Sequence, residues 1–302
     1  MLHMVARLHY LSDLSQVQIA KQLGLSTATI SRLLQKARAE GIVRIEVRDL
    51  VAPDALGAVL AERLGLSQVS VVEAPVGALG ALAAPLAAIL QAENLKPGAV
   101  LALGWGRAVK AVLEVGLPPL PGVLIVPMTG GMQQHAAHLQ INEFVRLAAE
   151  QTGGIPHFIH APYLPSAAAR PIFLSDHAIR DAVALWARID VAIVGIGLAP
   201  GLAPREPGID TPNEQLLVGA VGEVIRHYFD AAGRSLPWEG EARMITVSPA
   251  QCRAAGLTIG VAMGEKKALS IIAAARARMI SALVTDLRTA EAVLQRLTEV
   301  EK

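Results

Sequence analysis

Residues 15–36 read Ser15-Gln16-Val17-Gln18-Ile19-Ala20-Lys21-Gln22-Leu23-Gly24-Leu25-Ser26-Thr27-Ala28-Thr29-Ile30-Ser31-Arg32-Leu33-Leu34-Gln35-Lys36. Ser15 precedes a short amphipathic segment that predicts a helix, and Gly24 permits the positive φ that ends it. Ser26 is placed to cap a second helix, from Thr27 to about Ala39, on which Ile30, Leu33, Leu34 and Ala37 recur at spacings of three and four. Ile19, Ala20, Leu23, Leu25, Ile30 and Leu33 are the expected shared core, with Ala20 small where the helices cross. The pattern predicts a helix-turn-helix.

Between those core positions the second helix turns Thr27, Ala28, Thr29, Ser31, Arg32 and Lys36 outward, and with the capping Ser26 these are the candidate DNA-binding residues. Hydroxyls, a methyl group and cations are the chemistry that reads a DNA groove and binds phosphates. A helical hairpin with a solvated polar face would show the same spacing. Three neighbouring features weigh against that plainer reading: a preceding helix over residues 2–11, boundary residues of the right type, and alternating apolar and charged residues over 41–48. The last predicts a strand that closes the head as a small wing.

Working outward, 302 residues exceed one DNA-binding module and allow two unequal domains, a head over residues 1–50 and a body over 53–302. Hydrophobic residues at 53% and charged ones at 18% provide for a large core and exclude general disorder. The formal net charge is only +1, so nucleic-acid contact must come from a local face. In the first fifty residues seven cations face four carboxylates. A single cysteine, Cys252, excludes an internal disulfide and a cysteine metal cluster and fits a reducing compartment. With no apolar run of bilayer-spanning length and no signal segment, the expectation is a cytoplasmic protein without membrane association.

In the body, apolar runs at residues 69–73, 100–103, 123–127, 191–196, 244–247, 257–263 and 282–285 alternate with helical stretches. Most are continuous rather than alternating, as strands covered on both faces are. The expected fold is α/β, a Rossmann-like doubly wound parallel sheet behind the helical head. Ligands gather beyond the carboxyl ends of such strands. Three loops there carry glycine: Gly104-Trp105-Gly106-Arg107, Met128-Thr129-Gly130-Gly131-Met132, and Met263-Gly264-Glu265-Lys266-Lys267. One glycine after a strand usually serves the turn alone, but three such loops point to a shared anion site. None matches a dinucleotide or Walker motif, so no NAD, ATP or other cofactor is expected.

His135 and His138 lack carboxylate or thiol partners at metal-binding spacing, and no metal is expected. Asp176, Asp181, Asp190 and Glu223 form no recognisable catalytic pair. Residues 198–212, rich in proline and glycine, predict an irregular loop before a helix starting near Asn213.

The combination resembles the SorC family of bacterial sugar-responsive regulators. In the head the resemblance rests on Leu14-Ser15-Gln16, Ile19-Ala20, Leu23-Gly24-Leu25-Ser26, Ser31-Arg32-Leu33-Leu34, Ala37-Arg38 and Gly41-Ile42-Val43. In the body it rests on Gly104-Trp105-Gly106-Arg107, Gly130-Gly131, Asn142, residues 190–197, residues 219–223, residues 228–233, and Gly264 with Lys267-Ala268. It implies an effector domain like that of sugar-phosphate isomerases, a sugar, polyol or sugar-phosphate ligand, operator DNA as partner, and a homo-oligomer, dimer or tetramer. It also implies that Gly104, Trp105, Gly106, Arg107, Thr129, Gly130, Gly131, Gly264 and Lys267 hold a phosphate or its equivalent, while Asn142 and Asp230 face sugar hydroxyls. Ala108 stands where the family often has a hydroxyl, which removes one phosphate donor. Two other readings stay open: a sugar-phosphate isomerase or deaminase with an accessory head, and a head used only for protein association.

Overall fold

The computed structural model describes residues 1–12, 14–43, 53–132, 140–202, 214 and 217–300. The chain divides into two compact units, Met1–Val51 and Ala52–Lys302.

The described residues of the first unit form three helices: α1 (Leu2–Tyr10), α2 (Gln16–Leu23) and α3 (Thr27–Ala39). Ser15 and Gln18 form a capping box at the start of α2, in which Ser15 N–H donates to Gln18 Oε1 over 2.8 Å. Gly24 ends α2 at φ +66°, where a side chain would be strained, and its N–H returns to Ala20 O. Ser26 Oγ accepts the Thr29 N–H over 3.1 Å and opens α3. Val5, Ile19, Ala20, Ile30 and Leu34 are buried together, ringed by Leu8, Leu14, Leu23, Leu25 and Leu33. The expected core is present, with Val5 of α1 added to it. Of the expected wing, residues 41–43 form the turn after α3 and residues 44–48 lie outside the described residues.

The second unit runs α4 (Pro53–Leu64), β1 (Gln68–Val72), α5 (Ala83–Ala92), β2 (Val100–Leu103), α6 (Arg107–Val115), β3 (Leu124–Pro127), α7 (Ile141–Thr152) and β4 (Ile155–Pro156). It continues with α8 (Ala169–Ser175), α9 (His177–Ala184), β5 (Val191–Gly195), β6 (Gly197–Leu198), β7 (Gly222–Val224), β8 (His227–Phe229) and α10 (Pro249–Ala254). β9 (Leu257–Val261), α11 (Ala268–Arg276), β10 (Ala282–Asp286) and α12 (Leu287–Val300) complete it.

Seven strands form a parallel sheet in the order β1-β10-β9-β5-β2-β3-β4. Its apolar runs are continuous because both faces are covered. In β5, Ala192 and Val194 join the core that holds Leu60 and Ile271, whereas Val191 and Ile193 join the one that holds Leu86 and Val112. β2 and β5 are neighbours whose connections leave in opposite directions, β2 toward β3 and β5 toward β9. Right-handed crossovers in opposite directions lie on opposite faces, which opens a crevice between the carboxyl ends of β2 and β5. Accordingly Val109 of α6 and Cys252 of α10 belong to different cores.

Residues 244–247, expected as a sheet strand, lie outside the sheet. They run extended across the loop after β3, with Ile245 N–H donating to Tyr163 O and Val247 N–H to Met128 O, each over 2.8 Å. A short buried apolar run reads alike in either setting. The sequence also did not announce the small antiparallel sheet β6-β7-β8, whose strands are two or three residues long. Residues 203–213, including Asn213, lie outside the described residues. Among the described residues, no helix is long and apolar enough to cross a membrane.

Candidate functional sites

In the head, Ser26, Thr27, Ala28, Ser31, Arg32 and Lys36 are exposed on α3, and Thr29 is half-buried. Two of these side chains serve the helix itself: Ser26 Oγ and Thr29 Oγ1 lie 2.8 Å apart within the cap. Lys36 pairs with Glu40 at 3.6 Å, a solvated pair of small energetic weight.

In the body, the crevice brings together the loops after β2, β5 and β9. Gly104 lies so close to the chain that a Cβ there would stand 3.3 Å from both Ile193 O and Ile225 Cγ2. Gly106 caps α6 at φ +123°, and Arg107 is exposed at the first turn of that helix, whose leading amides have no helical partners. Gly264, also at φ +123°, leads into Lys267 and α11. Lys267 is half-buried, and its Nζ donates to Ile196 O just beyond β5. Burial pulls the Lys267 ammonium below its ordinary range, opposed by the attraction of Glu223 and reinforced by Arg107. Burial likewise pushes the Glu223 carboxyl up, against the opposing pull of Arg226 and Lys267. Lys267 thus feels the charge of both Glu223 and Arg107.

Glu223 is held in place by its own hairpin. Its Oε2 accepts Arg226 N–H over 2.7 Å in a two-residue turn where Ile225 and Arg226 take φ +45° and +66°. That turn favours Asn or Gly, so two bulky residues there carry strain that the surrounding packing sustains. Behind it Arg226 donates from Nη1 to Tyr228 Oη at 3.1 Å, Tyr228 Oη donates to Glu214 over 2.9 Å, and Arg226 Nε stands 3.3 Å from Glu214. Trp105 lies edge-on to Tyr163, with centroids 5.3 Å apart, as an aromatic wall.

Other expected residues have different tasks. Gly130 N–H donates to Ile245 O and Gly131 N–H to Ala161 O, each over 2.8 Å, while Thr129 Oγ1 is turned toward Ile245 O at 3.4 Å. Gly104 N–H donates to Ile193 O and Gly264 N–H to Thr289 Oγ1. The amides of these four glycines are thus bonded within the protein, and at Gly104 and Gly130 the missing Cβ also lets main chains approach. Asn142 clamps the backbone of Ile159 from both sides, at 3.1 and 3.2 Å, and so anchors the segment leading to Tyr163. Asp230 closes its own turn by accepting from Ala232 N–H, Arg234 N–H and the Arg234 guanidinium. The next residues pack on the last turn of α11, at the opposite end from Lys267, so Asp230 does not join the crevice. His135 and His138 lie outside the described residues.

The sugar-binding domain family matches residues 49–295, and region 4 of the sigma-70 family matches residues 7–40. The sorbitol operon regulator of Klebsiella pneumoniae is 30% identical over 96% of this chain and 96% of its own. The chain belongs to the SorC family. The deoxyribonucleoside regulator of Bacillus subtilis is also 30% identical, over 97% of this chain and 96% of its own. The crystal structure of full-length SorC from Klebsiella pneumoniae superposes with a TM-score of 0.73 at 28% identity, covering 97% of each chain. As a SorC-family member the chain is a transcriptional regulator, with a DNA-binding helix-turn-helix head and a sugar-binding body.

Glu223 was not singled out as a ligand from the sequence. The signal available was its place in the Gly219-Ala220-Val221-Gly222-Glu223 stretch, two residues before a strained turn. Only the fold brings it opposite Lys267, forty-odd residues later.

Proposed function

We propose that the crevice between β2 and β5 binds a sugar, polyol or sugar phosphate, and that occupancy changes the affinity of the head for its operator. The observation that carries this reading is the convergence just beyond β5 of Lys267, whose Nζ donates to Ile196 O, and Glu223, whose carboxylate packs against Gly197, near the start of α6, which has no side-chain cap. A carboxylate accepts hydroxyl donors, and an ammonium with a helix N-terminus holds an anionic or oxygen-rich group. Burial disfavours the charged form of both groups, so a ligand that hydrogen-bonds to them stabilises those forms.

That the named relatives are regulators supports a receptor rather than an enzyme. A single short helix-turn-helix offers few contacts, which favours a symmetric homo-oligomer, dimer or tetramer, on repeated half-sites. Action on DNA and a lone buried cysteine fit a cytoplasmic location. The effector acts only through a difference in its affinity for the two states of the assembly.

The test is a thermal-shift screen of the full chain against sugars, polyols and their phosphates, repeated with Lys267→Met and Glu223→Gln. A ligand at about 100 times its Kd stabilises the folded state by ~2.7 kcal/mol. The expected result is a hit whose shift is lost in Lys267→Met while that variant, freed of a buried charge, melts no lower than the parent. A hit indifferent to both substitutions would place the ligand elsewhere.

A further inference from the structure

One row of α3 faces directly away from the core of the head. Successive residues of a helix turn by roughly 100°. Ile30, Leu34 and Ala37, at 0, 2 and 0% exposure, mark the inner side. Opposite them stand Ala28, Arg32, Gln35 and Ala39, all exposed. Thr29 and Lys36 lie on one flank of this row and Thr27 and Ser31 on the other. Thr29 is tied into the cap with Ser26, and Lys36 pairs with Glu40, whereas Arg32 and Gln35 have no side-chain partner among the described residues.

We propose that Gln35 reads a base beside Arg32, so that each operator half-site carries a G·C pair recognised by Arg32 and a neighbouring A·T pair recognised by Gln35. The inference rests on the DNA-binding role of the head and adds the residues that set its specificity. A guanidinium matches guanine O6 and N7, and a carboxamide matches adenine N6 and N7, each through two hydrogen bonds. Three residues of helix separate the two side chains by about 4.5 Å along the axis, close to the ~3.4 Å between stacked bases. Ala28 and Ala39 bracket the pair with methyl groups. Small side chains at both ends of the row let the helix sink far enough for the middle ones to reach base edges, and Ala28 suits a thymine methyl.

The experiment is selection of duplexes with randomised half-sites by the full-length protein, followed by sequencing, for the parent, Arg32→Ala and Gln35→Ala. The parent should enrich G and A at neighbouring positions. Gln35→Ala should lose the preference for A alone, by about tenfold or more, while Arg32→Ala loses the preference for G alone. Gln35 is exposed and Ala favours helix, so the variant retains the fold, which circular dichroism verifies. Unchanged preferences in Gln35→Ala would overturn the proposal. So would a uniform loss of affinity across all sequences with a shallower salt dependence, which marks a phosphate contact. If the parent retains no duplex even at low salt, the DNA-binding role fails along with it, an outcome distinct from the other two.

Discussion

Gly130 and Gly131 are neighbours in sequence with opposite tolerance for a methyl group. A Cβ on Gly130 would stand 2.6 Å from Ala161 O and 2.8 Å from Pro162 C and O, all main-chain atoms, whereas one on Gly131 would meet only Ala161 O, at 4.0 Å. Gly130→Ala therefore forces the 129–131 loop and the 161–162 segment apart. Overpacking of this kind costs about 1–3 kcal/mol. The shift also strains the Gly130–Ile245 and Gly131–Ala161 hydrogen bonds, worth ~1 kcal/mol each. The stiffer unfolded chain returns about 0.4–1 kcal/mol. The net loss is ~3 kcal/mol, which lowers the melting temperature of a domain this size by roughly 6–12 °C. Gly131→Ala, free of a clash and not at positive φ, should be neutral or slightly stabilising. Scanning calorimetry of the full chain reads both. Equal melting temperatures for the two variants would refute the claim that close main-chain approach, rather than anion binding, explains the first glycine.

Arg226→Leu removes a buried cation 3.3 Å from buried Glu214. It should cost about 3–5 kcal/mol in urea unfolding, with partial recovery on adding Glu214→Gln; a loss under ~1 kcal/mol would contradict a desolvated pair. Burial raises the Glu223 carboxyl above its ordinary value, so the folded state binds its proton more readily than the unfolded one. The resulting destabilisation is absent below the ordinary pKa of 4.5 and grows as pH rises through the folded value. Glu223→Gln should thus leave the melting temperature unchanged near about pH 4 and raise it near about pH 8, and an equal difference at both would count against the assignment. Gly24→Ala places a side chain at φ +66° in open space. The strain of about 1 kcal/mol should speed amide exchange in α2 and α3 of the full chain about fivefold, detectable by mass spectrometry; unaltered exchange would mean the turn relaxes.

The head was legible almost residue by residue because its determinants are local. Ser15, Gly24 and Ser26 fix helix ends through bonds spanning three or four residues, and Ile19, Ile30 and Leu34 mark the buried face by their spacing. In the body, apolar runs disclosed six of the seven strands of the parallel sheet, and β4, two residues long, gave no run to find. What a run does not encode is its neighbour. Residues 244–247 satisfy the same composition while bridging two loops outside the sheet. The candidate site was less legible still: glycine after a strand suits an anion by type, whereas the bonding of the Gly104, Gly130, Gly131 and Gly264 amides to Ile193, Ile245, Ala161 and Thr289 depends on distant segments. Asp230 sits in a suggestive motif, and the hydrogen bonds it accepts from Ala232 and Arg234 lie within its own turn. Glu223 and Lys267 are distant in sequence, and only the return of β9 beside β5 brings them to the same end of β5.

The self-contained bonding of those loops bears on how such a receptor changes over time. Because Gly104, Gly130, Gly131 and Gly264 each give their amide to the protein itself, the backbone of these loops is held by internal bonds. On the proposed reading of the crevice, preference for one metabolite over another would reside in a few projecting groups, Arg107, Glu223 and Lys267 among them. Those positions are free to drift by single substitutions without the architecture having to be reinvented, so a lineage can retune what it senses while the apparatus that reports it stays constant.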